Sequence, residues 1–154
     1  PPPPARAPRR PGEPTGGVAA VWREERGGAS EIYYTDNLRY VEWWEEPERV
    51  SGAGVWAELP AVAVTSCGDA YVAWREGAQL LARRRQVGGE GWATQEVVAT
   101  GLASGSLVRL DAGLQRSLHL VWSQPALAGD RDIYYRSGGI VWPYAFWLPL
   151  VAKP

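Results

Sequence analysis

The sequence predicts an all-β chain assembled from repeated four-stranded antiparallel sheets. The clearest unit is Leu59–Thr100, which reads LPAVAV, a turn TSCGD, AYVAWREG, QLLARRRQ, a turn VGGEG and WATQEVVAT. Its four runs are short, rich in β-branched and aromatic residues, and closed by Gly-containing turns. None holds a 3.6-residue period long enough to compete as a helix. Composition agrees: nine Trp and seven Tyr stand beside a single Phe, among 18 Gly and 13 Pro, the balance of a chain with many strands and turns. The third observation is that near-copies of the unit lie on both sides of it.

Taken in order, residues 1–16 carry seven prolines and almost no apolar side chains. They read as a disordered or polyproline-like linker, with Pro1–Pro4 or the Pro8–Pro11 PxxP as a candidate proline-recognition ligand. The first copy (17–51) starts partway through the unit. GVAAVW matches AYVAW of the central copy, EIYYTDN is its next strand and VEWWEEPERV the one after, so strands two to four are expected. The central copy is 59–100. The third (106–147) supplies SLVRLD, SLHLVW, DIYYRS, a GG turn and IVWPYAFW. The tail LPLVAKP resembles LPAVAV and is expected to be an extra first strand over 148–153.

The copies agree in register. Trp22, Trp74 and Trp122 end the second strand, Trp44, Trp92 and Trp142 open the fourth, and Ile32-Tyr33-Tyr34 recurs as Ile133-Tyr134-Tyr135. A period near fifty residues with four strands per unit predicts β-propeller blades: about three blades, half of a six-bladed ring. Three blades do not close a ring, so two solutions stand side by side. Either the chain is part of a longer propeller, which the absence of Met also suggests, or two copies exchange terminal strands into a closed homodimer.

Net charge is −1, which argues against a nucleic-acid partner. The run Arg83-Arg84-Arg85 alternates sides on a strand and reads as a solvated outer strand. Cys67 is the only cysteine and has no internal disulfide partner. No run is long and apolar enough to span a bilayer. His119 is the only histidine and reads as a packing residue of its strand. Asp130 and Asp132 lack the further oxygens that calcium needs. Neither metal nor cofactor is expected, and no phosphate loop or hydrolase elbow is present.

The unit resembles the sialidase-type propeller with BNR (Asp-box) repeats. In that family a strand ending in Trp leads to an Ile-Tyr-Tyr-Arg-Ser strand and a Ser-x-Asp-x-Gly-x-Thr-Trp turn. The resemblance covers about 17–153 and is best at IYYRSGGIVW (Ile133–Trp142) and RQVGGEGW (Arg85–Trp92). The boxes are degenerate. Gly89 and Trp92 hold the spacing in the second while Arg85 and Val87 replace Ser and Asp, the first keeps Ser137 and Trp142 without an Asp, and Thr35 and Asn37 stand for Ser and Asp in the first copy. In the family that Asp accepts hydrogen bonds from the turn and the Trp packs between strands. The resemblance favours an extracellular or cell-surface setting.

Chain tracing puts the second-to-third loops and the blade connections on one edge, opposite the box turns. Ligand-face candidates there are Arg23 and Glu24 with Glu25 and Arg26, Arg75 and Glu76, and Ser123, Gln124 and Asp130. Trp56 and Trp147 lie near blade connections and are candidates for stacking on a sugar. Arg binds carboxylates bidentately, whereas solvated Arg–Glu pairs at strand ends are the alternative. An active sialidase would, by the resemblance, need three arginines, a Tyr with a Glu beside it and an Asp. None can be carried over residue by residue, and the family's early Arg-Ile-Pro signature is absent. The expected function is thus a non-catalytic module binding a glycan or protein. The alternative is part of an exo-α-sialidase-type hydrolase with its catalytic residues on other blades.

Overall fold

The computed structural model describes residues 17–38, 43–88, 91–113, 117–126, 129–138 and the backbone of 148–150. The expected proline-rich linker, the IVWPYAFW strand with Trp142 and Trp147, and Gly89 lie outside them. The described chain is all-β and forms three antiparallel sheets. The first contains β1 (Ala19–Arg26), β2 (Ala29–Asp36) and β3 (Glu48–Arg49), in that order. The second contains β4 (Ala57–Val64), β5 (Ala70–Glu76), β6 (Gln79–Arg85) and β7 (Glu96–Thr100). The third runs β8 (Val108–Ala112), β9 (Leu118–Pro125), β10 (Arg131–Gly138) and β11 (Leu148–Leu150).

Turn chemistry sets the register. Arg26 pairs with Ala29 across the two-residue turn Gly27-Gly28, whose φ angles are 58° and 82°. Positive φ at both central residues is what a hairpin's right-handed twist requires and what glycine supplies without a Cβ penalty. A Cβ built on Gly28 would meet nothing within 4 Å, so Gly28→Ala tests the backbone alone. It should cost about 1 kcal/mol, read as a lowered urea midpoint at unchanged slope.

The register brings the repeated residues to matching places. Trp22 pairs with Tyr33, Trp74 with Leu81 and Trp122 with Tyr134. Side chains alternate along each strand, so each Trp marks one face of its sheet. Trp74, Val72 and Leu81 pack with Ile32, Tyr34 and Val50 of the first sheet, and Val21 joins them. On the opposite face of the second sheet, Ala73, Leu80 and Val98 pack with Val108, Leu120 and Trp122 of the third. The sheets are therefore stacked face to face in chain order. Tyr71 to Trp74 are all buried, which explains why β5 reads as a continuous apolar run rather than an alternating one.

Three strands differ from expectation. Among the described residues of VEWWEEPERV only Glu48–Arg49 is strand; Pro47 has no N–H to donate, and pairing with Tyr34 begins after it. Trp44, expected to open the fourth strand, is 54% exposed. WATQEVVAT becomes a strand only from Glu96, while Trp92 reaches Arg85 through an isolated bridge. The tail segment Leu148–Leu150, expected as an extra first strand, instead pairs antiparallel with Ile133–Tyr135 of β10. It occupies the fourth place in the third sheet, since the open edge of β10 offers its N–H and C=O groups there.

Candidate functional site

One edge of the stack collects the tight turns and the sheet-to-sheet connections. Ser30 N donates to Val55 O at 2.9 Å, Leu102 N to Ala78 O at 3.0 Å, and Arg131 Nη2 to Ser104 O at 3.2 Å. On this edge the first-sheet candidates are tied up locally. Arg23 pairs with Glu25 at 2.7 Å and Arg26 with Glu24 at 2.6 Å, all near solvent, where such pairs add little stability.

The second sheet makes a denser cluster. Arg75 lies directly across from Glu58 in the β4–β5 register and forms a close ion pair with it. Trp56 donates its indole N–H to Glu58 Oε1 at 2.7 Å while the side chain stays 53% exposed. The Arg75 hydrogen bond, followed by that from Trp56, holds the Glu58 carboxyl below the usual carboxylate range, with the Arg23 charge adding to the effect. Just beyond, Leu59 adopts φ 55° and the register slips between Glu58 and Ala61. A bulge of this kind re-aims the side chains beside it and stores local strain.

The remaining candidates are placed apart from this cluster. Glu76 accepts from Trp74 Nε1 at 3.4 Å. Gln124 donates its amide to Thr100 O and so ties the third sheet to the second. Asp130 is exposed, and its carbonyl closes the β9–β10 loop by accepting from Ala126 N at 2.9 Å. Trp147 lies outside the described residues. The structure thus joins Trp56 and Arg75 through Glu58. Glu58 was missed in the sequence, although Trp56-Ala57-Glu58 repeats the spacing of Trp74-Arg75-Glu76 and residues two apart share a strand face.

The opposite edge holds a second cluster that sequence reasoning passed over. Arg83 and Arg85 both reach the first sheet, Arg83 Nη1 donating to Val50 O at 2.9 Å and Arg85 pairing closely with Asp36 and, at 3.2 Å, with Glu48. Arg84 points the other way, to Asp69 at 3.0 Å and over the Tyr71 ring. The alternation is as expected, but Arg83 and Arg85 tie the second sheet to the first rather than facing solvent. Arg85 also lies 4.9 Å from the Tyr34 ring centroid and 5.8 Å from that of Trp92. Tyr34 donates to Asp36 Oδ2 at 2.7 Å and Trp92 to Glu48 Oε2 at 3.0 Å. Burial, then the Asp36 hydrogen bond, push the Tyr34 phenol far above its ordinary range, so it stays a neutral donor. A cavity of about 130 Å³ opens beside this network, lined by Asp36, Glu45, Glu48, Arg85 and Val87 among others.

The turn that follows β6 is held from a neighbouring turn. Asp69, from the β4–β5 turn, accepts Val87 N at 2.9 Å. In the first sheet Asp36 Oδ1 accepts Leu38 N at 3.0 Å. His119 stacks on Tyr135 at 6.0 Å and shares a 2.7 Å hydrogen bond with its hydroxyl. Among the described residues no group of three or more His, Cys, Asp or Glu side chains is placed to hold a metal, and no helix is long and apolar enough to cross a membrane. No model of a known protein family matches the chain, and no curated protein matches it.

Proposed function

We propose that the chain is a non-catalytic segment of a sialidase-like β-propeller and that it presents the Trp56–Glu58–Arg75 edge to a glycan. The observation that carries this reading is the pairing of a half-exposed indole with a carboxylate–guanidinium pair on a strained bulge. An aromatic face offers a sugar a stacking surface, and fixed polar groups beside it set orientation. The carboxylates at this edge are engaged with cationic or N–H partners, which suits a positioning role better than that of a general acid. Glu58 is held ionised by Arg75 and Trp56, the opposite of the raised pKa a general acid needs. Glu24 and Glu25 are each engaged with an arginine.

The test is a glycan array followed by calorimetric titration of the best ligand. Trp56→Ala and Arg75→Ala should each weaken binding about tenfold or more, a loss of roughly 1.4 kcal/mol, with the far-ultraviolet circular dichroism unchanged. A bound protein partner and no bound glycan would move the reading to a protein-binding scaffold. Turnover of a fluorogenic α-sialoside by the chain would replace it with the hydrolase alternative.

A further inference from the structure

The two outward faces of the stack carry the same side chains that hold its interior together. Inside, the first sheet covers Trp74 with Val21, Ile32 and Tyr34. The third sheet repeats this trio at the matching register positions as Val121, Ile133 and Tyr135, since Val21 pairs with Tyr34 and Val121 with Tyr135. Ile32 and Tyr34 are fully buried, whereas Ile133 is 42% exposed and Tyr135 only partly covered. At the other end, Trp22 and Tyr33 stack at 6.0 Å and 23°. Their counterparts Trp122 and Tyr134 stack at 5.7 Å and 14°, with Trp122 buried under the second sheet. Trp22 and Tyr33 remain partly exposed, and among the described residues no fourth sheet lies over them.

We infer that a second copy of this chain covers these faces, the Val121–Ile133–Tyr135 face of one copy lying on the Trp22–Tyr33 face of the other. The junction continues an interface already made twice within the chain. Each open face has its complement at the opposite end, so no foreign surface is required. The contact is head-to-tail, and such contacts either propagate or close into a ring. Two junctions of this kind close six sheets, within the number that propellers use. This arrangement needs no exchange of terminal strands, because Leu148–Leu150 pairs with β10 of its own sheet. It is also independent of what the Trp56 edge binds.

The experiment is light scattering after size exclusion, run over a concentration series on the full chain. The expected species is twice the 16.9 kDa chain mass. Ile133→Asp buries a charge in one face and Ala20→Arg, on the Trp22 side of β1, blocks the other. Each should weaken self-association by about 100-fold, since an unpaired charge at a desolvated contact costs several kcal/mol. Both sites already touch solvent, and circular dichroism checks that each variant folds. Mixed in equal amounts, the two variants retain one undamaged junction and should bind each other better than either binds itself. A wild-type chain that stays monomeric at every concentration overturns the proposal. So does a dimer indifferent to both substitutions, the outcome expected of strand exchange.

Discussion

Trp74→Ala is expected to destabilise the chain by about 3–5 kcal/mol. Trp74 is fully buried and belongs to the cluster shared by the first two sheets. Its removal leaves a void lined by Val72 and Leu81 from its own sheet and Ile32 and Tyr34 from the sheet opposite. Backbones of paired strands cannot close such a gap without breaking ladder hydrogen bonds, so the lost transfer energy and the cavity add. Against a typical domain stability of about 5–15 kcal/mol, this suffices to unfold a large fraction of molecules under mild denaturant. Urea unfolding followed by circular dichroism reads it directly. A loss under 1 kcal/mol would mean that the first and second sheets do not rely on this contact.

Arg85→Ala is the second large effect, for an electrostatic reason. Asp36 is 1% exposed, and Arg85 is the cation paired with it across the junction between sheets. Removing the guanidinium leaves a carboxylate in a site that Tyr34 and Leu38 satisfy only by hydrogen bonds. Breaking one partner of a buried pair costs about 3–5 kcal/mol, and loss of the contacts to the Tyr34 and Trp92 rings adds to it. The diagnostic is the double variant. Asn in place of Asp36 keeps an acceptor for those donors but removes the charge, so R85A/D36N should recover at least ~1 kcal/mol relative to R85A. If the double variant is no more stable than the single one, Asp36 is not the group that Arg85 compensates.

What could be read in advance followed from local rules. The central sheet was legible because each strand is bounded by its own turn chemistry, and the copies around it because Trp22, Trp74 and Trp122 keep one register. The pairing of Trp22 with Tyr33, Trp74 with Leu81 and Trp122 with Tyr134 follows from hairpin geometry. Trp44 went astray because Pro47 interrupts its run: Glu45 N reaches Asp36 O at 2.8 Å, but the ladder proper holds only Glu48 and Arg49. The Arg85–Asp36 pair was not legible because the partners are 49 positions apart. Strand alternation says which side an arginine faces, never what stands opposite. The hydrogen bond from Val87 N to Asp69 was hidden for the same reason, since Asp69 arrives from a neighbouring turn. At the Trp56 edge, alternation could link Trp56 to Glu58, but the bulge at Leu59 that aims them leaves no mark in composition.

The double-sided burial of β5 has a consequence for how the chain comes apart. One seven-residue strand contributes Val72 and Trp74 to one apolar cluster and Ala73 to the other. A disturbance at either junction is therefore transmitted through the same short backbone segment. The two junctions cannot melt as independent events, although the sheets touch mainly their neighbours and a stack of that kind would otherwise fray one layer at a time. β6 likewise gives Leu81 to one cluster and Leu80 to the other, so the middle sheet couples the two junctions: weaken it, and a single all-or-none transition should divide into two.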